Sequence, residues 1–229
     1  MVAAIFLATS GMPASAAHHS RASHADVAQR DAAAADAVVA KLHQLPLPLR
    51  SRGAPSAQSP PPPLPALESR RQRVYAQLHA LGPASVPALA RALHDPDPEM
   101  RRNVAVALDV VGGGWWHFPD GSAKLDLRPA LPALLLTLQD SDPGVRAWAA
   151  QDISDIGGAA ATAVSPLRAM LHSADAGSRG SACSALGGIG FPARAALPDL
   201  RNALGDSSPE VRQAARAAIA SIGRASAPH

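Results

Sequence analysis

The chain has 229 residues, a formal net charge of +3 and 3% aromatic residues. That length holds one ordinary domain with flexible segments, and small aliphatic side chains with few aromatics suit stacked helices better than an aromatic-rich β-sandwich. The single cysteine, Cys183, excludes an intramolecular disulfide and a cysteine-based zinc site, and no apolar run reaches the ~20 residues of a membrane-spanning helix.

In chain order, Met1 to Leu7 is apolar, Gly11 and Pro13 break it, and Ala14-Ser15-Ala16-Ala17 offers a small-residue cleavage site. Residues 1–17 are therefore a candidate signal peptide without the usual basic start. The expected location is periplasmic or secreted, and cytoplasmic if the segment is only an apolar tail. Residues 18–45 are Ala-rich with Val27, Val38, Val39 and Leu42, enough for one helix with a thin apolar face. Residues 46–65 contain eight prolines, which lack the amide donor and hold their predecessors extended, so a disordered polyproline-like linker is expected. Such a segment can dock in an aromatic groove, although a spacer is its plainer role.

Residues 66–224 repeat themselves. Segments 86–112, 131–157, 164–190 and 197–223 align without gaps. Arginine recurs at Arg101, Arg146, Arg179 and Arg212, and glycine follows each by eleven residues, at Gly112, Gly157, Gly190 and Gly223. A half-repeat with Arg71, Leu78, Leu81 and Gly82 precedes them in the same frame. Fixed-period self-similarity is the mark of a solenoid. Each unit reads as two helices. Val86, Leu89 and Leu93 make an apolar stripe in the first, matched by Leu131, Leu134 and Leu138, by Val164, Leu167 and Leu171, and by Leu197, Leu200 and Leu204. An Asp/Ser/Pro turn separates the helices, and the repeated glycine suits a left-handed helix end. The expected fold is all-α: an α-solenoid of helical hairpins behind a disordered Pro-rich segment, with a disordered tail at 225–229.

The pattern apolar-Pro-x-Leu, Asp-x-Asp-Pro-x-Val-Arg, Ala-Ala-x-x-Leu/Ile, Ile-Gly resembles the short HEAT-like repeats of phycobilin lyases and deoxyhypusine hydroxylases. The likeness spans about residues 67–224. It implies a ladder of hydrogen bonds between adjacent units, carried by Arg101, Arg146, Arg179 and Arg212 with Asp97, Asp142 and Asp175. Ser207 and Ser208 at the fourth turn leave that rung open. Fold of this kind does not fix function.

Deoxyhypusine hydroxylases hold iron with His-Glu pairs. Here no histidine precedes a glutamate, His79, His94 and His172 fall in different repeats, and HExxH is absent, so neither a metal nor another cofactor is expected. G-x-S-x-G and P-loop motifs are also absent. Gly112-Gly113-Gly114 reads as a helix stop, and Cys183, aligned with Ala105 and Ala150, as a small core thiol. Asp152 stands where the other repeats have Ala107, Ala185 and Ala218, and is expected to reach a neighbouring backbone group or arginine.

The arginine spacing of 45 between repeats one and two, against 33 elsewhere, marks an insertion containing Trp115, Trp116, His117 and Phe118. Aromatics clustered on a loop are typical binding anchors, and could equally cover the stack. The positions one, two, five and nine residues after each arginine are expected to face outward. In repeat two these are Ala147, Trp148, Gln151 and Asp155. Trp115, Trp116, Phe118, Trp148 and Asp155 are thus the candidate partner-binding residues.

From residue 66 onward there are 16 Lys+Arg against 15 Asp+Glu, without a basic stripe, which argues against a nucleic-acid footprint. The expectation is a non-enzymatic scaffold that binds another protein through repeats one and two. An enzyme or chromophore lyase of the HEAT-like class is the first alternative, and a nucleic-acid binder the second.

Overall fold

The protein is described from a computed structural model covering residues 24–45, 67–113 and 123–224. The signal-peptide, Pro-rich and tail assignments, and the insertion's Trp115, Trp116 and Phe118, lie outside these residues. In the four repeats, each second helix begins where an Asp or Ser precedes Pro or Ala. Asp97 accepts the amide of Glu99, Asp142 those of Gly144 and Val145, and Asp175 that of Ser178. An N-cap carboxylate satisfies amides that have no intrahelical partner, and Pro98 and Pro143 follow in the first turn, where no donor is needed.

The resulting hairpins are regular. The first unit pairs α1 (His24–Val39), continued by a 3-10 turn at Ala40–Gln44, with α2 (Leu67–Ala80). Repeat one is α3 (Ser85–Ala92) and α4 (Pro98–Val111); repeat two is α5 (Leu131–Thr137) and α6 (Pro143–Ile156). Repeat three is α7 (Val164–Met170) and α8 (Ala176–Ile189), and repeat four is α9 (Leu197–Ala203) and α10 (Pro209–Arg224). No strand occurs among the described residues. The second helices stack α2–α4–α6–α8–α10, which buries stripes that neither helix of a hairpin could bury alone.

Residues 24–45 are more firmly built in than their thin apolar face suggests. Ala35, Val39, Leu42 and Leu45 join the continuous core, and Asn103 Nδ2 donates to the carbonyls of Leu42 and Leu45 at 3.2 and 3.0 Å. Helices α1 and α2, which flank residues 46–66 in sequence, pack against each other. Gly157 and Gly190 end their helices at φ of 68° and 72°, as the repeated glycine predicts. Gly112 does not: it stays helical at φ −73°, and Gly113 takes the left-handed place at φ 81°. Gly223 lies inside α10.

Candidate interaction surface

The arginine ladder positions everything else. Each arginine's Nη1 donates to two carbonyls of its own turn: Asp95 and Pro96 for Arg101, Asp140 and Ser141 for Arg146, Ser173 and Ala174 for Arg179, Asp206 and Ser207 for Arg212. The other edge reaches the next repeat. Arg101 takes Asp140 through Nε (2.7 Å) and Nη2 (3.2 Å), Arg146 takes the Ser178 hydroxyl at 3.1 Å, and Arg179 takes Asp206 at 2.7 and 2.8 Å.

The acids that receive the arginines thus differ from those the family pattern suggests. Asp97, Asp142 and Asp175 cap helices. The inter-repeat carboxylates are Asp140 and Asp206, two residues earlier in the turn. Asp142 has a second role, pairing with Arg102 of the preceding repeat. The rung to repeat four, left open by Ser207 and Ser208, is closed by Asp206. Arg179 and the Ser208 amide hold that carboxyl down at about 2.

Position eight of one second helix faces position six of the next. A Cβ on Gly187 would stand 2.9 Å from Ala218 Cα, so these helices approach closely at that register. At the seam between repeats one and two the same register holds Asp109 and Asp152, which are 1% and 0% exposed. Neither oxygen of Asp152 has a hydrogen-bond partner. The expected backbone or arginine contact is absent. Burial, reinforced by Asp109 and Asp155, pushes this carboxyl well above the usual range. One turn on, half-buried Asp155 accepts Gln151 Nε2 at 3.1 Å. Burial raises its pKa, opposed by that bond and by Lys124.

The aromatic insertion leaves and re-enters the fold at one place. Gly113 and Lys124 are in contact, Leu125 N donates to the Val111 carbonyl at 2.9 Å, and the His79 ring meets the Ala123 carbonyl at 2.8 Å. The insertion's base therefore lies beside the acidic seam, near Asp155.

Trp148 is only 6% exposed and belongs to the core, which corrects its placement on an open face. Positions two and nine lean on the preceding repeat, as the bonds from Asn103 to the Leu42 and Leu45 carbonyls and from Ser221 Oγ to the Gly187 carbonyl show. Position five is the better gauge of the open face. Val106 is buried and Gln151 half-buried, whereas Ser184 and Ala217 are exposed. Among the described residues, position five is accessible in repeats three and four. Gly180, Ser181, Ser184, Gly188, Gln213 and Ala217 make the surface there small-sided and uncharged.

Among the described residues no cluster of His, Cys, Asp and Glu is arranged to hold a metal, and no helix is long and apolar enough to cross a membrane. Cys183 is fully buried, with its thiol pushed up to about 11 by desolvation, which leaves it an inert core group.

Hairpin stacking, capped turns and an arginine ladder together define a helical repeat protein of the HEAT-like kind. A family model for HEAT repeats matches residues 164–228. No curated protein matches in sequence. Among solved structures, the complex of CpcE and CpcF of phycocyanin lyase from Nostoc sp. PCC7120 aligns with a TM-score of 0.57 at 18% identity, covering 81% of this chain and 98% of that one. A designed armadillo repeat protein in complex with the peptide (KR)4 aligns at 0.54 and 18% identity, covering 88% and 87%. An engineered protein aligns at 0.52 and 23% identity, covering 87% and 90%. At these identities the likeness concerns the fold.

Proposed function

We propose that the protein is a non-enzymatic scaffold that binds another protein on the inner surface of repeats three and four. The carrying observation is the contrast at one repeat position: Val106 is buried, while Ser184 and Ala217 are exposed. A surface of small side chains lets a partner backbone or helix approach closely, as large side chains would not. The binding face is thereby moved from repeats one and two towards the C-terminal half, with Asp155 at its border. Trp115, Trp116 and Phe118 are retained as proposed anchors on sequence grounds, on an insertion whose base adjoins Asp155.

Two features favour this reading over its rivals. Arg101, Arg146, Arg179 and Arg212, which a nucleic-acid binder would turn towards phosphates, are held in the turns. The designed armadillo protein with its peptide shows a related fold holding a ligand of this class. Export through residues 1–17 remains part of the proposal and is read out by the N-terminal mass of the native protein.

The test compares affinity capture from native extract by the wild-type chain, by Ala217→Arg, and by Ala169→Arg on the opposite row of helices. The proposal requires that Ala217→Arg lose a partner that the other two retain. Equal capture by all three contradicts this face.

A further inference from the structure

Among the described residues, an arginine reaches into the following repeat at three of the four joints of the stack; at the first joint the turn acid meets a histidine. Asp95 stands in the turn of repeat one where Asp140 and Asp206 stand in later turns, and those two receive Arg101 and Arg179 of the preceding unit. Asp95 faces His43, on the 3-10 turn that continues α1, whose ring Nε2 lies 3.2 Å from Asp95 Oδ2. The other ring nitrogen, Nδ1, lies 3.6 Å from Oδ2 of Asp97. The second oxygen of each carboxylate is already used inside the turn: Asp95 Oδ1 accepts the Asp97 amide at 2.8 Å, and Asp97 Oδ1 accepts the Glu99 amide at 3.0 Å. One imidazole is thus set between two carboxylates, with an oxygen opposite each nitrogen.

A neutral imidazole carries one N–H and one lone pair, so it donates towards one of these oxygens while its lone pair is turned on the other. The imidazolium donates from both nitrogens and brings the charge that two carboxylates call for. Most other charged groups at this joint are engaged elsewhere. On the same element Lys41 donates to Gln77; on α2 Arg70 donates to Gln44, and Arg71 is buried. On α3 Arg91 pairs with Asp36 of α1. On α4 Arg101, whose Nη1 also holds the Asp95 carbonyl, pairs with Asp140, and Arg102 pairs with Asp142. His94 and Glu99 are exposed at the turn. Arginine rungs keep their charge across the neutral range, whereas histidine changes charge between about pH 5 and 8.

We propose that His43 is a proton-dependent latch that fastens the end of α1 to repeat one. With the ring protonated, it clasps Asp95 and Asp97 and holds residues 40–45 over Asn103, whose Nδ2 bonds the Leu42 and Leu45 carbonyls. With the ring neutral, one carboxylate is left facing a lone pair. Residues 40–45 then lift more often, which uncovers the Asn103 amide and the apolar seats of Leu42 and Leu45. The closed state favours the protonated ring, so the latch holds while the ring is charged and both carboxylates are ionised, and it loosens as pH rises through the imidazole range. This joint is separate from the inner face of repeats three and four, and each proposal can fail without the other.

The test is amide hydrogen exchange of the full chain, followed by NMR at about pH 5.5 and about pH 8, either side of the imidazole range, with each rate divided by its intrinsic rate at that pH. The amide of Leu45, which bonds the Leu42 carbonyl at 3.1 Å, reports the latch. Amides of α8 report any change shared by the whole fold, that of Asp152 included. Opening at Leu45 relative to α8 should rise roughly two- to fivefold from the lower pH to the higher, the size expected of an exposed ion pair. His43→Gln should remove this step and leave Leu45 at the faster rate at both pH values. His43→Arg, which keeps the charge, should remove it at the slower rate. His43 is exposed, so both variants retain the core. A step that persists in His43→Gln, or a wild type in which Leu45 tracks α8 at both pH values, overturns the proposal.

Discussion

Asp152 occupies a position that the other repeats fill with Ala107, Ala185 and Ala218, and it faces Asp109 across a closed seam. Its carboxyl is raised far above an unfolded aspartate's value of about 4, so folding takes up a proton. Stability is therefore full below about pH 4 and falls as pH rises towards the raised value. Asp152→Ala should stabilise the fold by about 1 kcal/mol, more at pH 8 than at pH 5, because it removes an unsatisfied polar group and restores the small residue of the other repeats. Thermal melts at the two pH values measure this. An unchanged pH slope would place the titration elsewhere. Trp148 gives the opposite expectation. At 6% exposure its truncation to alanine should cost about 3–5 kcal/mol and lower the melting temperature whether or not a partner is present.

At the scale of elements, the two acids of each turn have separable work. Asp142 caps α6 and pairs with Arg102, so Asp142→Ala should cost roughly 1–2 kcal/mol and speed amide exchange at Gly144 and Val145. Asp206 joins repeats three and four, with its carboxyl lowered to about 2. Its contribution is present above the unfolded value of about 4 and is lost as pH falls towards 2. Amide exchange in α10 should therefore rise over that interval in the wild type and show no such step in Asp206→Asn. The turn sequence Asp-x-Asp shows where reading by pattern stops. Both acids fit a ladder role by spacing, and only the direction of the arginine's free edge separates the cap from the rung. The hairpins, the apolar stripes and the insertion were legible because they rest on periodicity. Which outward position leans on the preceding repeat was not, because Trp148 and Asn103 are buried by inter-repeat geometry that no single helix encodes. The role of residues 24–45 is faint in the sequence for a related reason: alanines such as Ala35 contribute packing without making a conspicuous stripe.

The described residues form a short stack whose two halves differ. Its N-terminal half contains the first hairpin, the acidic seam and the insertion's base; in its C-terminal half Ser184 and Ala217 are exposed. If the protein works by binding, contact should follow that asymmetry. The most direct measurement is site-specific photocrosslinking in the native setting, with a benzophenone side chain placed in turn at Ser184, Ala217, Ala169 and Arg73. The account predicts a shared crosslinked partner from Ser184 and Ala217 and none from Ala169 or Arg73. Crosslinks from Ala169 or Arg73 with none from Ser184 and Ala217 would contradict it.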